Sequence, residues 1–368
     1  MLLLTGATGF LGSRLCAELL RQTEQELVCV VRASSASEAE ERVRRRLARQ
    51  DPEVAGSRRL RFVAGDLTRE RLGLPGDVYR GLAEAVTEVH HCGASVNMAA
   101  PYAALAPVNV AGTARVLEFC RAAGDSPLHH VSTLGVFFDA RRAGLDVVGE
   151  HDRPTQETCG SIGYPRSKYQ AEALVDAAAA EGLPVAVYRP GLVLADSRDG
   201  ACPHDDFTAN LYAACALSGL FPQTHGTIPV VAADHAAQII AALSQQDGSL
   251  GAAHPVMHQD PFPAHRFLEQ ARAYGYDLAP APADQWLAGL KALGRTPQAM
   301  AIRALAISRH ILGLAPDTVL PRFRNPRTVK RTADAGVPSP AMDTAYFARM
   351  FDHLIDQQVI PHPARRQP

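Results

Sequence analysis

The chain has 368 residues, 47% of them hydrophobic and 20% charged, which excludes an intrinsically disordered protein. Lys plus Arg is 37 against 38 for Asp plus Glu, a formal net charge of -1, so a general nucleic-acid binder with its usual basic excess is excluded as well. At ~150 residues per domain the length allows about two domains.

In chain order, Leu2-Leu3-Leu4 reads as a buried strand entering a glycine turn, and Leu11, Leu15 and Leu19 then recur as one helix face. Leu27 to Val31 is a second buried strand, followed by a charged helix from Ser37 to Arg49. Further strands are expected at Leu60 to Val63, Val86 to His90, His129 to Ser132 and Val185 to Tyr188, with helices at Thr113 to Ala122 and Tyr169 to Ala180 between them. Apolar runs that are continuous rather than alternating belong to a parallel sheet covered on both faces. The pattern is therefore α/β: a Rossmann-type doubly wound parallel sheet over residues 1–195. After Asp196 the segments lengthen, become mainly helical and are broken by prolines, which marks a smaller C-terminal substrate subdomain over residues 196–368. Strands from 225–260 could return to the sheet, and the end from Pro361 to Pro368 reads as loose.

Two features outside these elements bear on setting. The seven cysteines form no C-x-x-C pair, so no disulfide framework or metal site is expected and a reducing cytoplasm is the simplest environment. Met1-Leu2-Leu3-Leu4 lacks a basic flank, and the apolar run from Leu211 to Phe221 ends at Pro222, short of the ~18 residues of a membrane helix.

The segment Thr5-Gly6-Ala7-Thr8-Gly9-Phe10-Leu11-Gly12 lies between a strand and a helix. Glycines at 6, 9 and 12 permit a tight turn, close approach of backbone to a pyrophosphate and close helix packing, with the helix N-terminus turned to the phosphates. Such a turn binds a dinucleotide. At the end of the second strand stands Arg32 rather than Asp or Glu, which favours the 2′-phosphate of NADPH. Arg42 is a second candidate, or else part of a solvated helix face. Asp66 and Leu67 follow the third strand, where a carboxylate could reach the adenine amine or simply make a turn.

Tyr164 and Lys168 are four apart, on one face of a helix. An ammonium there favours the phenolate, lowering a phenol pKa from about 10 and fitting it for proton transfer. Ser132-Thr133 ends an earlier strand and offers a hydroxyl for the same substrate oxygen. Tyr188-Arg189-Pro190-Gly191 ends another, where Pro190, Gly191 and Val193 could flank a nicotinamide.

GATGFLG, GDL, NVAGT, VSTLGV, GYPRSKYQAE and YRPGLVLADS, in this order, resemble the extended short-chain dehydrogenase/reductases. VVRA with Arg32, Ser95-Val96-Asn97, the GYxxSK form and Asp196 to Gly200 narrow the resemblance to the thioester reductases. That branch includes the terminal reductase domains of nonribosomal peptide and polyketide synthases and of carboxylic acid reductases. The likeness covers Met1 to Leu290. It implies Thr133, Tyr164 and Lys168 as catalytic triad and NADPH as hydride donor, with Gly93, Ala94 and Asn97 lining the cofactor cleft and Asn109 supporting the site. It also implies reductive release of an acyl or peptidyl thioester from a phosphopantetheinylated carrier protein, as an aldehyde or further as an alcohol. His91-Cys92-Gly93-Ala94 departs from the usual His-Asn-Ala-Ala, and Pro229-Val230-Val231 from the usual Pro-Val-Asp.

Other readings stay open: a fatty acyl-CoA reductase, a nucleotide-sugar or ketone enzyme of the same fold, or a non-catalytic dinucleotide sensor. Between Arg295 and Arg331 eight basic residues stand against the single acid Asp317, either a plain soluble face or a docking surface for an acidic carrier. Cys92 reads as a core cysteine, His204-Asp205-Asp206 as a loop beside the cleft, and the doublets His90-His91 and His129-His130 as pairs with one member packed inward.

Overall fold

Each continuous aliphatic run becomes a strand because both of its faces are covered. In the computed structural model, which describes residues 1–204, 206–292, 313 and 319–363, seven strands form one sheet. They are β1 (Leu2–Thr5), β2 (Leu27–Val31), β3 (Leu60–Ala64), β4 (Glu88–His91), β5 (Leu128–Val131), β6 (Val185–Pro190) and β7 (Ala253–Val256). Their spatial order is β3-β2-β1-β4-β5-β6-β7, and every pairing is parallel. The winding reverses between β1 and β4, where Thr5 lies opposite His91. In open sheets of this kind the ligand crevice lies outside the carboxyl ends of the strands at such a reversal.

The helices that cover or flank the sheet include α1 (Phe10–Gln22), α2 (Ala36–Ala48), α3 (Tyr102–Asn109), α4 (Ala111–Ala122), α5 (Gly163–Ala180) and α6 (Ala233–Ser244). Side chains alternate along a strand, so Leu2, Leu4 and Cys29 pack with Leu15 and Leu19 of α1 and with Ile239 and Ile240 of α6. Leu3, Val28 and Val89 pack on the opposite face with Val116 and Phe119 of α4 and Val175 of α5. Chain beyond Asp196 therefore does return to the sheet, as α6 and β7. The parallel pair of Leu192–Leu194 with Val230–Ala232 leads into α6.

The rest of the later chain builds its own core. Helices Phe207–Ser218, Arg266–Tyr274, Ala283–Ala292 and Thr344–Asp356 bury Tyr212, Phe267, Trp286, Phe347 and Phe351 together. Rings of Tyr212 and Phe351 meet edge to face at 4.7 Å, a geometry that adds to plain area burial. Residues 293–312, 314–318 and 364–368, with Arg295, Arg303, Arg309 and Asp317 among them, lie outside the described residues, as does Asp205.

Asp196 ties the two cores together. Buried to 1% exposure, it accepts from Arg14 Nε of α1 at 2.8 Å and from Arg198 Nε and Nη2 at 2.9 and 2.8 Å. Burial opposes its charge, yet the Arg198 hydrogen bonds and the Arg14 charge hold the carboxyl below its ordinary range. Ser197 donates to Asp234 of α6, while Arg349 Nε donates to the Ser197 carbonyl at 3.0 Å and Tyr346 Oη to the Ala195 carbonyl at 2.9 Å. The Asp196 to Gly200 motif is thus a joint between α1 and the helix Thr344–Asp356.

Candidate active site

The crevice is bounded on one side by the glycine turn. Gly6 has φ +83°, and a Cβ there would stand 2.7 Å from Cys92 C and Gly93 N. A Cβ on Gly12 would stand 2.1 Å from the Gly6 carbonyl oxygen. Both positions need a residue without a side chain. Gly9 caps α1 and contributes no side-chain bond, so the first amides of the helix keep their donors for a ligand. That open, side-chain-free cradle fits a dinucleotide pyrophosphate. Gly6→Ala is expected to lower unfolding free energy by about 1–3 kcal/mol, from left-handed strain plus displacement of the 92–93 backbone; urea unfolding at neutral pH measures it.

Thr5 acts one step away from the crevice. Its buried hydroxyl accepts from Gly93 N at 3.1 Å and lies 2.7 Å from His91 Nδ1. Thr113 Oγ1 donates to the Asn109 carbonyl at 2.7 Å and lies 3.1 Å from His91 Nε2. The hydrogen-bond pattern assigns the ring proton to Nε2, with Thr5 donating to Nδ1. Burial, then the Lys168 charge, lowers the His91 pKa to about 3, so this ring is neutral at pH 7.

Across the crevice, β5 ends at Val131 and delivers Ser132 and Thr133. Their roles separate. Ser132 Oγ donates to Glu172 Oε2 at 2.7 Å and is buried, so it is committed to structure. Glu172 is in turn paired with Arg189, both all but fully buried. Thr133 is half-buried, accepts from Gly135 N at 3.0 Å and donates towards the Pro190 carbonyl at 3.4 Å. It lies near enough to the Tyr164 phenol to act on its titration.

The α5 helix starts early enough to carry Tyr164 because Gly163 touches a loop. A Cβ at Gly163 would come 2.3 Å from the Ala100 carbonyl oxygen. Asn109 completes the clamp: Oδ1 accepts from Ser95 N at 2.7 Å, while Nδ2 donates to the Ser95 carbonyl at 2.9 Å and to Ser167 Oγ at 2.8 Å. Ser167 Oγ donates to the Tyr164 carbonyl at 2.7 Å. Asn109 thus fixes the 95–102 loop to the helix that bears the tyrosine and lysine.

The expected tuning of Tyr164 by Lys168 is not the arrangement found. Burial pushes the phenol well above its ordinary range. The Lys168 ammonium instead donates to the Val131 carbonyl at 2.8 Å. Desolvation is the largest influence on the phenol. At neutral pH the phenol is consequently a firm proton holder, suited to donate only to an oxygen that becomes strongly basic.

Comparison with known proteins decides the family. A family model of the NAD-binding kind, described as male sterility protein, matches residues 4–240. The terminal R domain from the myxalamid PKS-NRPS biosynthetic pathway is 30% identical, with a TM-score of 0.89 over 98% of this chain and 92% of that one. The chain belongs to the terminal reductase domains. The R domain of a non-ribosomal peptide synthetase from Mycobacterium tuberculosis is similar at 25% identity and TM-score 0.79, over 98% of this chain and 92% of that one. A linear gramicidin synthase polypeptide of Brevibacillus parabrevis is 30% identical over 353 residues, 96% of this chain but 7% of that protein. Isonitrile lipopeptide synthase of Streptomyces coeruleorubidus is 32% identical over 377 residues, 99% of this chain and 25% of that protein. The chain spans a small part of the curated relatives it matches.

Several site residues of this reductase domain sit differently from their sequence expectation. Cys92 packs against the sheet core, as expected of a core cysteine, but is only half-buried, with its backbone beside Gly6. Burial holds its thiol up at about 12. Asn97 is exposed, and its Oδ1 accepts from Ala99 N at 2.9 Å in its own loop. Asp66 Oδ1 accepts from Thr68 N and Oγ1 at 2.8 and 2.7 Å, the turn reading, though Arg32 lies close enough to act on it. Leu67 packs on Gly93 and Gly112. Arg32 is exposed at the end of β2, and Arg42 donates to the Arg32 carbonyl, bracing that corner from α2. Glu38 is held by Ser34 and lies 4.0 Å from Arg42 Nη1.

Arg14 and Arg46 were not singled out by spacing, yet their guanidinium carbons lie 4.0 and 5.9 Å from the Phe10 ring centre at the head of α1. Both residues of each histidine doublet are buried, one on each sheet face. Asp206 accepts from Ala209 N at 2.8 Å and caps helix Phe207–Ser218. Among the described residues no cluster of His, Cys, Asp or Glu could hold a metal ion, and no helix is long and apolar enough to cross a membrane.

Proposed function

We propose that this chain reduces a thioester held on the phosphopantetheine arm of a carrier protein, with NADPH, and releases an aldehyde. The observation that carries the reading is the nearness of Thr133, at the end of β5, to Tyr164 on the helix that also bears Lys168. Thr5 to Gly12 and the open head of α1 would hold the pyrophosphate, and Arg32, braced by Arg42, the 2′-phosphate. Gly93, Ala94, Pro190, Gly191 and Val193 would form the walls about the nicotinamide ring. When bound, the reduced nicotinamide supplies the hydride to the carbonyl carbon.

The protein's part is proton and charge management. Thr133 and Tyr164 donate hydrogen bonds to the carbonyl oxygen, and Tyr164 gives up its proton as that oxygen turns basic. Lys168 supplies positive charge behind the site through a buried ammonium whose pKa burial lowers to about 8. The resulting thiohemiacetal loses the thiol to leave an aldehyde. Carrier docking is supported by the exposed cations Arg322, Arg324 and Arg327; Arg331 is otherwise engaged, donating to Gln246, Asp247, Gly248 and Ser249. Relatives named as a linear gramicidin synthase and a lipopeptide synthase agree with this substrate class.

The test is incubation of the chain with NADPH and a panel of acyl-pantetheine thioesters, nucleotide sugars and ketones, followed by product identification. NADPH consumption with thioesters, giving aldehyde or alcohol, is the expected result. Turnover confined to nucleotide sugars or ketones would overturn the reading, and indifference to all three would favour a sensor.

A further inference from the structure

Lys168 is 2% exposed, so its ammonium must find hydrogen-bond acceptors inside the protein. Two are provided by consecutive residues of β5: the Val131 carbonyl at 2.8 Å and His130 Nε2 at 3.4 Å. An ammonium carries only donors. His130 Nε2 therefore accepts, and the proton of the neutral ring sits on Nδ1. That nitrogen is buried and finds no partner among the described residues. Keeping a buried N–H unpartnered costs stability, and an aliphatic side chain would avoid it. The arrangement has a purpose if the exposed lone pair on Nε2 is what the site needs.

The other groups acting on Lys168 are already committed. His91, from β4, is held by Thr5 and Thr113, and its ring lies 5.3 Å from that of His130. Cys92 is a protonated thiol at neutral pH. Glu172, one turn along α5, is held by Ser132 and Arg189. Tyr164 lies beside Thr133. None of these is placed to accept directly from the ammonium.

We propose that His130 is a positioning residue for the reduction, its neutral imidazole holding the Lys168 ammonium charged and seated against the Val131 carbonyl. This rests on the reductase reading given above. Burial, then the Lys168 charge, keeps His130 well below its ordinary pKa, so the ring remains an acceptor throughout the working range. Loss of the acceptor makes the buried ammonium easier to deprotonate.

The experiment is the pH profile of kcat for thioester reduction in the intact chain. His130→Leu is expected to move the alkaline limb down by about one pH unit, so that turnover above pH ~8 falls about tenfold further than at pH ~6.5. NADPH affinity at the lower pH should be unchanged. His130→Gln, whose amide oxygen can accept from Nζ, should restore the limb. An unmoved limb in His130→Leu, or a loss equal at every pH, overturns the proposal. Should His130→Leu not fold, ¹⁵N NMR of the wild-type histidines decides: the Nδ1–H tautomer supports the proposal and the Nε2–H tautomer overturns it. Lys168→Met separates the two readings. If the wild-type chain reduces no thioester, the reductase reading falls; if it does and Lys168→Met keeps full turnover, the role of Lys168 and with it that of His130 falls; if Lys168→Met loses turnover while His130→Leu keeps the wild-type profile, only the role of His130 falls.

Discussion

Replacing Tyr164 by Phe is expected to lower kcat for an acyl-pantetheine thioester by about 10²–10⁴-fold, the usual worth of a positioned proton donor. The ring stays and only the hydroxyl leaves, so packing of α5 is preserved. Thr133 retains its bonds to Gly135 N and the Pro190 carbonyl, and the glycine turn is untouched. NADPH affinity, read by fluorescence titration, should therefore stay within about twofold, because the loss is of a transition-state interaction alone. The size of the effect follows from burial. A phenol pushed above its ordinary range is fully protonated at pH 7 and donates only when hydride arrival makes the substrate oxygen the stronger base. A variant with kcat within threefold of wild type would remove Tyr164 from the chemistry and, with it, the substrate-oxygen role assigned to Thr133.

A second large effect is expected in acid. His91, His129 and His130 are buried at the centre of the sheet, and burial lowers all three below the ordinary histidine value of 6.5. A group whose folded pKa is depressed binds its proton in the unfolded chain first. Stability is therefore intact above pH 6.5 and is lost as pH falls towards the folded values, about 3 for His91. His91 alone, with its folded value about 3, removes up to about 1.4 kcal/mol per pH unit, about 2 kcal/mol between pH 7 and pH 5, and His129 and His130 act in the same direction. That is a sizeable share of the stability of a typical domain. Urea unfolding followed by circular dichroism at pH 7.5, 6 and 5 should show the midpoint falling steeply. Carboxylates such as Asp196, held low by their arginine partners, add their loss only below about pH 4. A midpoint that holds from pH 7.5 to pH 5 would mean that the rings charge without unfolding, against their burial.

Those histidines show where reading a sequence stops. His90-His91 and His129-His130 look like two surface-facing and two inward-facing rings, because an adjacent pair on a half-exposed strand would divide that way. Here both faces of the sheet are covered. His90, His129, Tyr188 and His254 stack in a row on one face, neighbouring rings 4.8, 5.9 and 5.3 Å apart. His91 and His130 turn to the other face, towards Lys168. The row crosses four strands that are far apart in sequence, and no local pattern records it.

The strands were legible because a covered parallel sheet needs unbroken aliphatic runs, and the glycine turn because its spacing is dictated by backbone clearance at Gly6 and Gly12. Helix spacing put Tyr164 and Lys168 on one face. Spacing along one helix says nothing about where an ammonium finds its acceptors, which come from β5 through Val131 and His130. The separation of Ser132 from Thr133 depends on Glu172 and Arg189 meeting on the far side of β5. The place of the Cys92 backbone beside Gly6 depends on β1 and β4 being neighbours.

Local sterics and periodicity, which act over a few residues, thus determined the α/β alternation, the dinucleotide turn and the pairing of tyrosine with lysine. Which hydroxyl is tied to Glu172, which side of the phenol's titration dominates, and what seats the lysine were decided by tertiary structure. Those properties depend on desolvation and on hydrogen-bond partners from distant strands, and both exist only once the sheet has closed around them.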